Sequence, residues 1–312
     1  MMSIQPNGKH YLAIFIAILG WGFSVPFIEF GLAYIGPLPF LAYRFILATV
    51  VLTPIALIQK RQELGQLLQQ RWLWVIGLAE SLGLIFQYLG QQQGVPGGLA
   101  ALLSLCFLLI VPFISPFIIG QKLEKYHLMA IITGFAGIIM ISTEGDLNRL
   151  RGGTISLLGV LLLLSAAFGY ALYIVATSRL TTIEQQDVDT FSLFYLVLLI
   201  VAASSTFATA MFSTFQPLPE ELWIWLIGLA IFSTLIAFFS YFEALKAISA
   251  NTASVLLLLQ VLVPFAIDYV VLRRRYGIWI ISGAGLIIIA MLIVVVVPLY
   301  YRRWKPSPKP QT

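Results

Sequence analysis

The sequence has little of what soluble enzymes depend on. Only 10% of its 312 residues are charged, against about 25% in ordinary soluble domains, and so few charges cannot cover a water-exposed surface. Disorder is excluded by the opposite excess, since 60% of the residues are hydrophobic and 13% aromatic. The single cysteine, Cys106, lies within an apolar run, has no partner for an internal disulfide and reads as a packing residue. There are two histidines, His10 and His127, both near the ends of apolar runs. With no His-Glu-x-x-His or paired-acid motif beside them, metal and hydrolytic chemistry find no support. No phosphate-binding glycine loop is present, which argues against ATP-driven pumping by this chain alone. No cofactor is expected.

What the chain has is apolar length, with a mean hydropathy of +0.96. A bilayer core about 30 Å thick needs about 20 apolar residues in helical form. Ten stretches meet that need or fall slightly short of it: Tyr11–Ile35, Leu38–Ile58, Trp72–Leu89, Leu99–Ile119, Leu128–Ile141, Ile155–Ala176, Phe191–Phe212, Leu222–Phe242, Thr252–Leu272 and Ile278–Pro298. Backbone polar groups find no water in hydrocarbon, so continuous apolar runs predict helices; a barrel would alternate in segments of about ten. The connections are too short for a soluble domain. The first run follows Lys9 but is too long for a signal-peptide core and lacks a small-residue cleavage site, so it reads as a retained span. The expected class is an all-α polytopic membrane protein.

Lysine and arginine set the orientation. With the N-terminus inside, the cytoplasmic segments carry Lys9, Lys60, Arg61, Arg71, Lys122, Lys125, Arg179, Lys246 and the tail Arg302, Arg303, Lys305 and Lys309. Outside lie Arg149, Arg151 and the counter-signal Arg273–Arg275. Both termini are expected in the cytoplasm, with the chain in the plasma (inner) membrane. The net charge of +5 follows from this bias and from a basic tail suited to an anionic leaflet, so it requires no nucleic acid.

The halves echo one another. Gly77-Leu78-Ala79 returns as Gly228-Leu229-Ala230 after 151 positions, and Val111-Pro112-Phe113 as Val263-Pro264-Phe265 after 152. Trp21-Gly22-Phe23 has a looser echo in Phe168-Gly169-Tyr170. A repeat of five helices is odd-numbered, so its second copy enters the membrane upside down. Two inverted five-helix repeats around a midplane site are an architecture of secondary transporters. The expected units are a cytoplasmic N-terminus (1–10), a first repeat (11–143), a second repeat (154–299) and a basic cytoplasmic tail (300–312).

Ionisable residues inside spans cost roughly 2.5–3.5 kcal/mol on insertion scales and are functional candidates by default. Arg44 lies about two turns into the second span, and Glu29 at similar depth before the end of the first. They read either as an ion pair stapling two helices near the outer surface, or as an outer gate or substrate-carboxylate site using the donor fork of Arg44. Glu80 and Gln87, seven apart, share a face of the third span. Desolvation penalises an ionised Glu80, which suits proton coupling; a helix–helix hydrogen bond is the alternative. Asp268 is placed to answer Arg273–Arg275, and Glu243 with Lys246 forms an i,i+3 pair. Trp21 and Ser24 on the first span, Tyr170 and Tyr173 on the sixth and Gln260 on the ninth would orient a small molecule in a largely apolar site. Ordinary packing is the plainer use of the same residues. Pro112, Pro116 and Pro264 permit a bend or a hinge.

At these residues the chain resembles the EamA-type ten-helix members of the drug/metabolite transporter superfamily. The resemblance rests on Trp21-Gly22 with a following proline, Arg44-Phe45 with Ala48, and Phe86-Gln87-Tyr88-Leu89-Gly90 leading through Ala100-Ala101 to Pro112. Gly134, Gly137, Gly283 and Gly285 extend it over nearly the whole chain. It implies a central cavity between the repeats and transport or export of small metabolites such as amino acids. The departures are local. Where family members carry Gly-Glu-Arg/Lys-Leu, this chain reads Gly120-Gln121-Lys122-Leu123 and Leu272-Arg273-Arg274-Arg275, and Glu29 stands where many have a lysine. The expected function is a secondary transporter, an exporter using alternating access, with a small-molecule substrate, a bilayer and protons as candidate coupling ion. The competing reading is a channel-like or scaffolding membrane protein without coupled transport. A channel would repeat a polar face over several helices, and only the third span carries two such positions.

Overall fold

A computed structural model describes residues 8–304 except 122, 147–154, 184–187, 249–252 and 254–255. Of the residues invoked above, Lys122, Arg149, Arg151, Thr252, Lys305 and Lys309 lie outside the described residues, as do the start of the second repeat at 154 and the side chains of Arg302 and Arg303. The described residues form ten membrane helices: α1 Gly8–Gly31, α2 Pro37–Gln59, α3 Arg71–Gln92, α4 Gly97–Ile118, α5 Lys125–Thr143, α6 Leu157–Ser178, α7 Thr190–Phe212, α8 Leu222–Ala244, α9 Leu258–Val270 and α10 Ile278–Trp304. Nine are long and apolar enough to span; α9 is a shorter apolar helix over its described part.

Local chemistry sets the ends. Pro37 opens α2 after an extended Gly36, where its missing N–H is no loss. Ser156 caps α6 by accepting from the Gly159 N–H at 3.1 Å, and Asp189 caps α7 through the Ser192 N–H at 2.8 Å. Glu124 and His127 form a reciprocal capping box on α5. Between α3 and α4 the chain turns through Gly94 at φ +78°, a left-handed conformation that favours glycine. The α2–α3 connection, expected only as a loop, carries a short surface helix, Arg61–Leu68, which buries Leu64 and Leu67.

Pairwise packing follows the repeat. α3 lies on α6 as α8 lies on α1, α4 touches α6 as α9 touches α1, and α2–α7 and α5–α10 pair across the pseudo-twofold. Small residues set these crossings, because association in lipid gains from close backbone approach. A Cβ on Gly169 would lie 2.7 Å from the Gly83 nitrogen, and one on Gly137 would lie 2.5 Å from the Gly283 carbonyl oxygen. The breaks also correspond. α4 is interrupted at Leu105–Cys106, and the matching place in α9 is the 3-10 segment Leu258–Val261. In both copies the Val-Pro-Phe tripeptide follows the break. A proline ring crowds the carbonyl four residues back, which for Pro264 is Gln260, inside the 3-10 segment.

Candidate functional site

Arg44 is the best-anchored charge in the membrane interior. α2 places it seven residues after Pro37, at the depth of Ser24, which lies seven residues before the end of α1. The side chain is only 5% exposed. Its Nε donates to Thr234 Oγ1 on α8 at 3.1 Å, and its Nη1 donates to Tyr88 OH on α3 at 3.2 Å and to Ser24 Oγ at 3.4 Å. The guanidinium also lies 5.1 Å from the Phe45 ring centroid. All three hydrogen-bond partners are hydroxyls. Among the described residues Arg44 has no carboxylate partner, and its Nη2 has no partner at all.

Glu80 is the complementary case. Its half-buried carboxyl on α3 makes no hydrogen bond or ion pair among the described residues, yet interacts through space with Arg44, Tyr170 and Tyr173. About two turns along the same helix, Gln87 accepts a hydrogen bond from Tyr170 OH. The absent Cβ of Gly83 leaves room for the Tyr170 ring, since one built there would come within 2.8 Å of it. Tyr173 extends the wall toward Tyr241. Tyr241 and Phe238 in turn hold Trp21, with ring centroids 5.2 and 5.1 Å away. Two groups of opposite charge, not in direct contact as an ion pair, thus share a half-aromatic environment where α1, α2 and α3 meet α6 and α8.

The structure draws together Ser24, Arg44, Glu80, Gln87, Tyr170, Tyr173 and, through the aromatic wall, Trp21. Gln260 stands apart: its carbonyl abuts Gly22 on α1, and its side chain makes no hydrogen bond to the others. The expected Glu29–Arg44 pair does not form. α1 ends at Gly31, four residues before the expected end, so Glu29 lies two residues from the helix end rather than six. It is also five residues from Ser24, about 140° around the helix.

Glu29 instead joins a second cluster. Arg274 in the α9–α10 loop pairs with Glu29 and with Asp268 at 2.7 Å, so Asp268 does answer the arginine run. Asp268 is 1% exposed; it accepts from Tyr276 OH and from the Gly98 N–H at the start of α4, the latter at 2.6 Å. Hydrogen bonds from Arg274 to Glu29 and Asp268 outweigh the opposing effect of burial and raise its already high pKa. Burial and the Asp268 bond push Tyr276 up as well. This cluster ties α1 and α4 to α9 and the α9–α10 loop. At the other face Lys60 bonds Asp189 at 2.9 Å, joining α2 to α7, and Glu243 bridges Lys9 at 2.7 Å and Lys246 at 2.5 Å.

The sequence reading passed over Tyr88 and Thr234. Tyr88 was visible only as part of a motif beside Gln87. Thr234 lies in an apolar stretch that forms a π-helical segment, Gly228–Ile236, and nothing in its neighbours marks it.

The EamA-like transporter family matches the chain twice, over residues 8–143 and 157–296. The chain belongs to this family. An uncharacterized transporter of Archaeoglobus fulgidus is 21% identical over 92% of the chain and 99% of that protein. The uncharacterized transporter YvbV of Bacillus subtilis is 28% identical over 55% of the chain and 54% of its own length. The uncharacterized inner membrane transporter YedA of Escherichia coli is 29% identical over 54% and 53%. Thus the alignments with YvbV and YedA span about half of those proteins, and the archaeal one spans nearly all. A solved crystal structure covers 96% of the chain with a TM-score of 0.63 at 19% identity, which shows a shared fold. This EamA-like chain is accordingly a multi-pass membrane transporter of small molecules, not an enzyme.

Proposed function

We propose that this EamA-like transporter exports small zwitterionic metabolites such as amino acids across the plasma (inner) membrane, by alternating access around a midplane cavity between its two repeats. The observation that carries this reading is the pair of opposite charges, Arg44 and Glu80, which interact through space without forming an ion pair. A charge held in hydrocarbon without a contacting counter-ion is costly, and an arriving opposite charge relieves that cost. The free edge of Arg44 suits a carboxylate, Glu80 suits an ammonium group or a proton, and the wall of Trp21, Phe238 and Tyr241 suits the apolar remainder.

The Glu29–Arg274–Asp268 cluster serves as the gate on one face, and the Lys60–Asp189 and Lys9–Glu243 pairs close the other. Rocking of the repeats breaks one set while the other holds. Both termini are placed in the cytoplasm by the lysine and arginine bias, which puts the Arg274 cluster at the outer face.

The test is flux of labelled amino acids in proteoliposomes, with and without a pH gradient. Saturable flux that responds to the gradient, and that loses this response in Glu80→Gln, supports the reading. Absence of saturable flux across a broad metabolite panel overturns it.

A further inference from the structure

Hydroxyl side chains on the membrane helices mostly bond the carbonyl four residues back. Ser81 bonds Gly77, Thr133 bonds Met129, Thr177 bonds Tyr173 and Ser205 bonds Val201. Thr234 departs from this pattern: it donates at 2.8 Å to Leu229, five residues back, in the wider register of the π segment. Such segments are rare and occur frequently at functional sites. With its hydrogen committed to Leu229, the Thr234 oxygen can only accept, and what it accepts is the Arg44 Nε–H. The residue is 1% exposed and, among the described residues, is the one hydrogen-bond partner of Arg44 contributed by the second repeat.

We infer that Thr234 is the positioning residue of the substrate site, fixing the Arg44 guanidinium across the repeat interface so that Nη2 is presented to a substrate carboxylate. A carboxylate in its place would hold Arg44 more tightly, but would neutralise it and compete with the substrate. A hydroxyl orients the fork and leaves the charge intact. Nε and Nη1 are occupied by hydroxyls of α1, α3 and α8, so rotation of the guanidinium is blocked from three helices while one nitrogen stays free. Since α8 belongs to the second repeat and α2 to the first, the same bond makes the geometry of Arg44 depend on how the repeats sit together. Anion affinity then differs between the two states of the access cycle.

This inference rests on the substrate-carboxylate reading of Arg44, and its test separates the two. Full-length wild type, Thr234→Val, Thr234→Ser and Tyr88→Phe are reconstituted and assayed with labelled L-amino acids, each competed by its own α-carboxamide. Loss of a hydrogen bond to a charged group should raise KM about tenfold in Thr234→Val, with kcat within about twofold. The preference for acid over carboxamide should shrink in parallel, and Thr234→Ser should restore both. Tyr88→Phe, which removes a hydroxyl without changing the α8 segment, should move KM and preference the same way. Wild-type KM and preference in Thr234→Val overturn the inference while leaving the transport reading standing. So does a loss confined to kcat, or equal impairment in the serine variant. If the valine variant is not recovered from the membrane, Thr234→Ala is read by the same criteria. A wild type without saturable flux overturns the transport reading itself.

Discussion

Arg44 and Glu80 are both ionisable and both within the membrane, and they are treated differently. Three hydroxyls surround the arginine, whereas the carboxyl has no hydrogen-bond partner among the described residues. Replacing Arg44 by lysine should therefore not be conservative. One ammonium cannot reproduce a fork that bonds Thr234, Tyr88 and Ser24 together, and amino-acid KM in proteoliposomes should rise about tenfold or more. Glu80→Gln keeps the shape and removes the titration, so flux should persist while its dependence on a pH gradient disappears. Retained dependence would remove Glu80 from the coupling. Both residues were visible in the sequence because a charge inside an apolar run stands out. Thr234 was not, since a threonine among apolar residues carries no such signal and its role is created by the π register of Gly228–Ile236.

At the scale of helices, crossings and clusters carry the argument. The α3–α6 contact depends on Gly83 facing Gly169, and a valine at 169 would drive its side chain into the α3 backbone. Overpacking of this kind costs about 1–3 kcal/mol and should lower the melting temperature of the detergent-purified protein. The Glu29–Arg274 bond links α1 to the α9–α10 loop. It also gives one departure from the family pattern a structural use: Glu29, an acid where many members have a lysine, meets Arg274. A double-mutant cycle with Glu29→Gln and Arg274→Gln should show coupling of about 0.5–3 kcal/mol in thermal unfolding, and the charge-swapped pair should recover part of the loss. The sequence offered Glu29 and Arg274 as separate oddities. Their meeting depended on α1 ending at Gly31, a boundary that hydropathy could not resolve because Leu32, Ala33 and Ile35 are as apolar as the helix itself.

For the molecule as a whole, the transport cycle requires both faces to close and open in turn. The Lys60–Asp189 pair couples α2 to α7 across the repeats and gives this face a pH signature. Burial works to raise the Asp189 carboxyl, but hydrogen bonds from Lys60 and Ser192 prevail and hold it below the usual carboxylate range. The hydrogen bond to Asp189 raises the Lys60 ammonium. For the depressed acid, the stabilisation is present above the unfolded-state pKa and is lost as pH falls through the folded one. For the raised base it is fully present below its unfolded-state pKa and is lost as pH rises through the folded one. Asp189→Asn should therefore flatten the acid limb of a stability–pH profile measured by thermal unfolding. The proposed topology, with an even number of spans, puts both chain ends on one face. With Cys106→Ser as background, single cysteines at either end should react with an impermeant reagent from the same side.

Composition alone was enough to make this a helical membrane protein, because a chain with so few charges cannot meet water and hydrocarbon forces every backbone group into helices. The duplicated tripeptides at a near-constant offset, read with ten spans, made it two inverted repeats, since an odd number of crossings reverses the second copy. Which polar residues meet was decided only by the tertiary structure. Helix rotation, a π turn in α8 and an early end to α1 depend on packing between distant helices, and they brought Thr234 to Arg44 and Arg274 to Glu29, contacts that bridge 190 and 245 positions of chain.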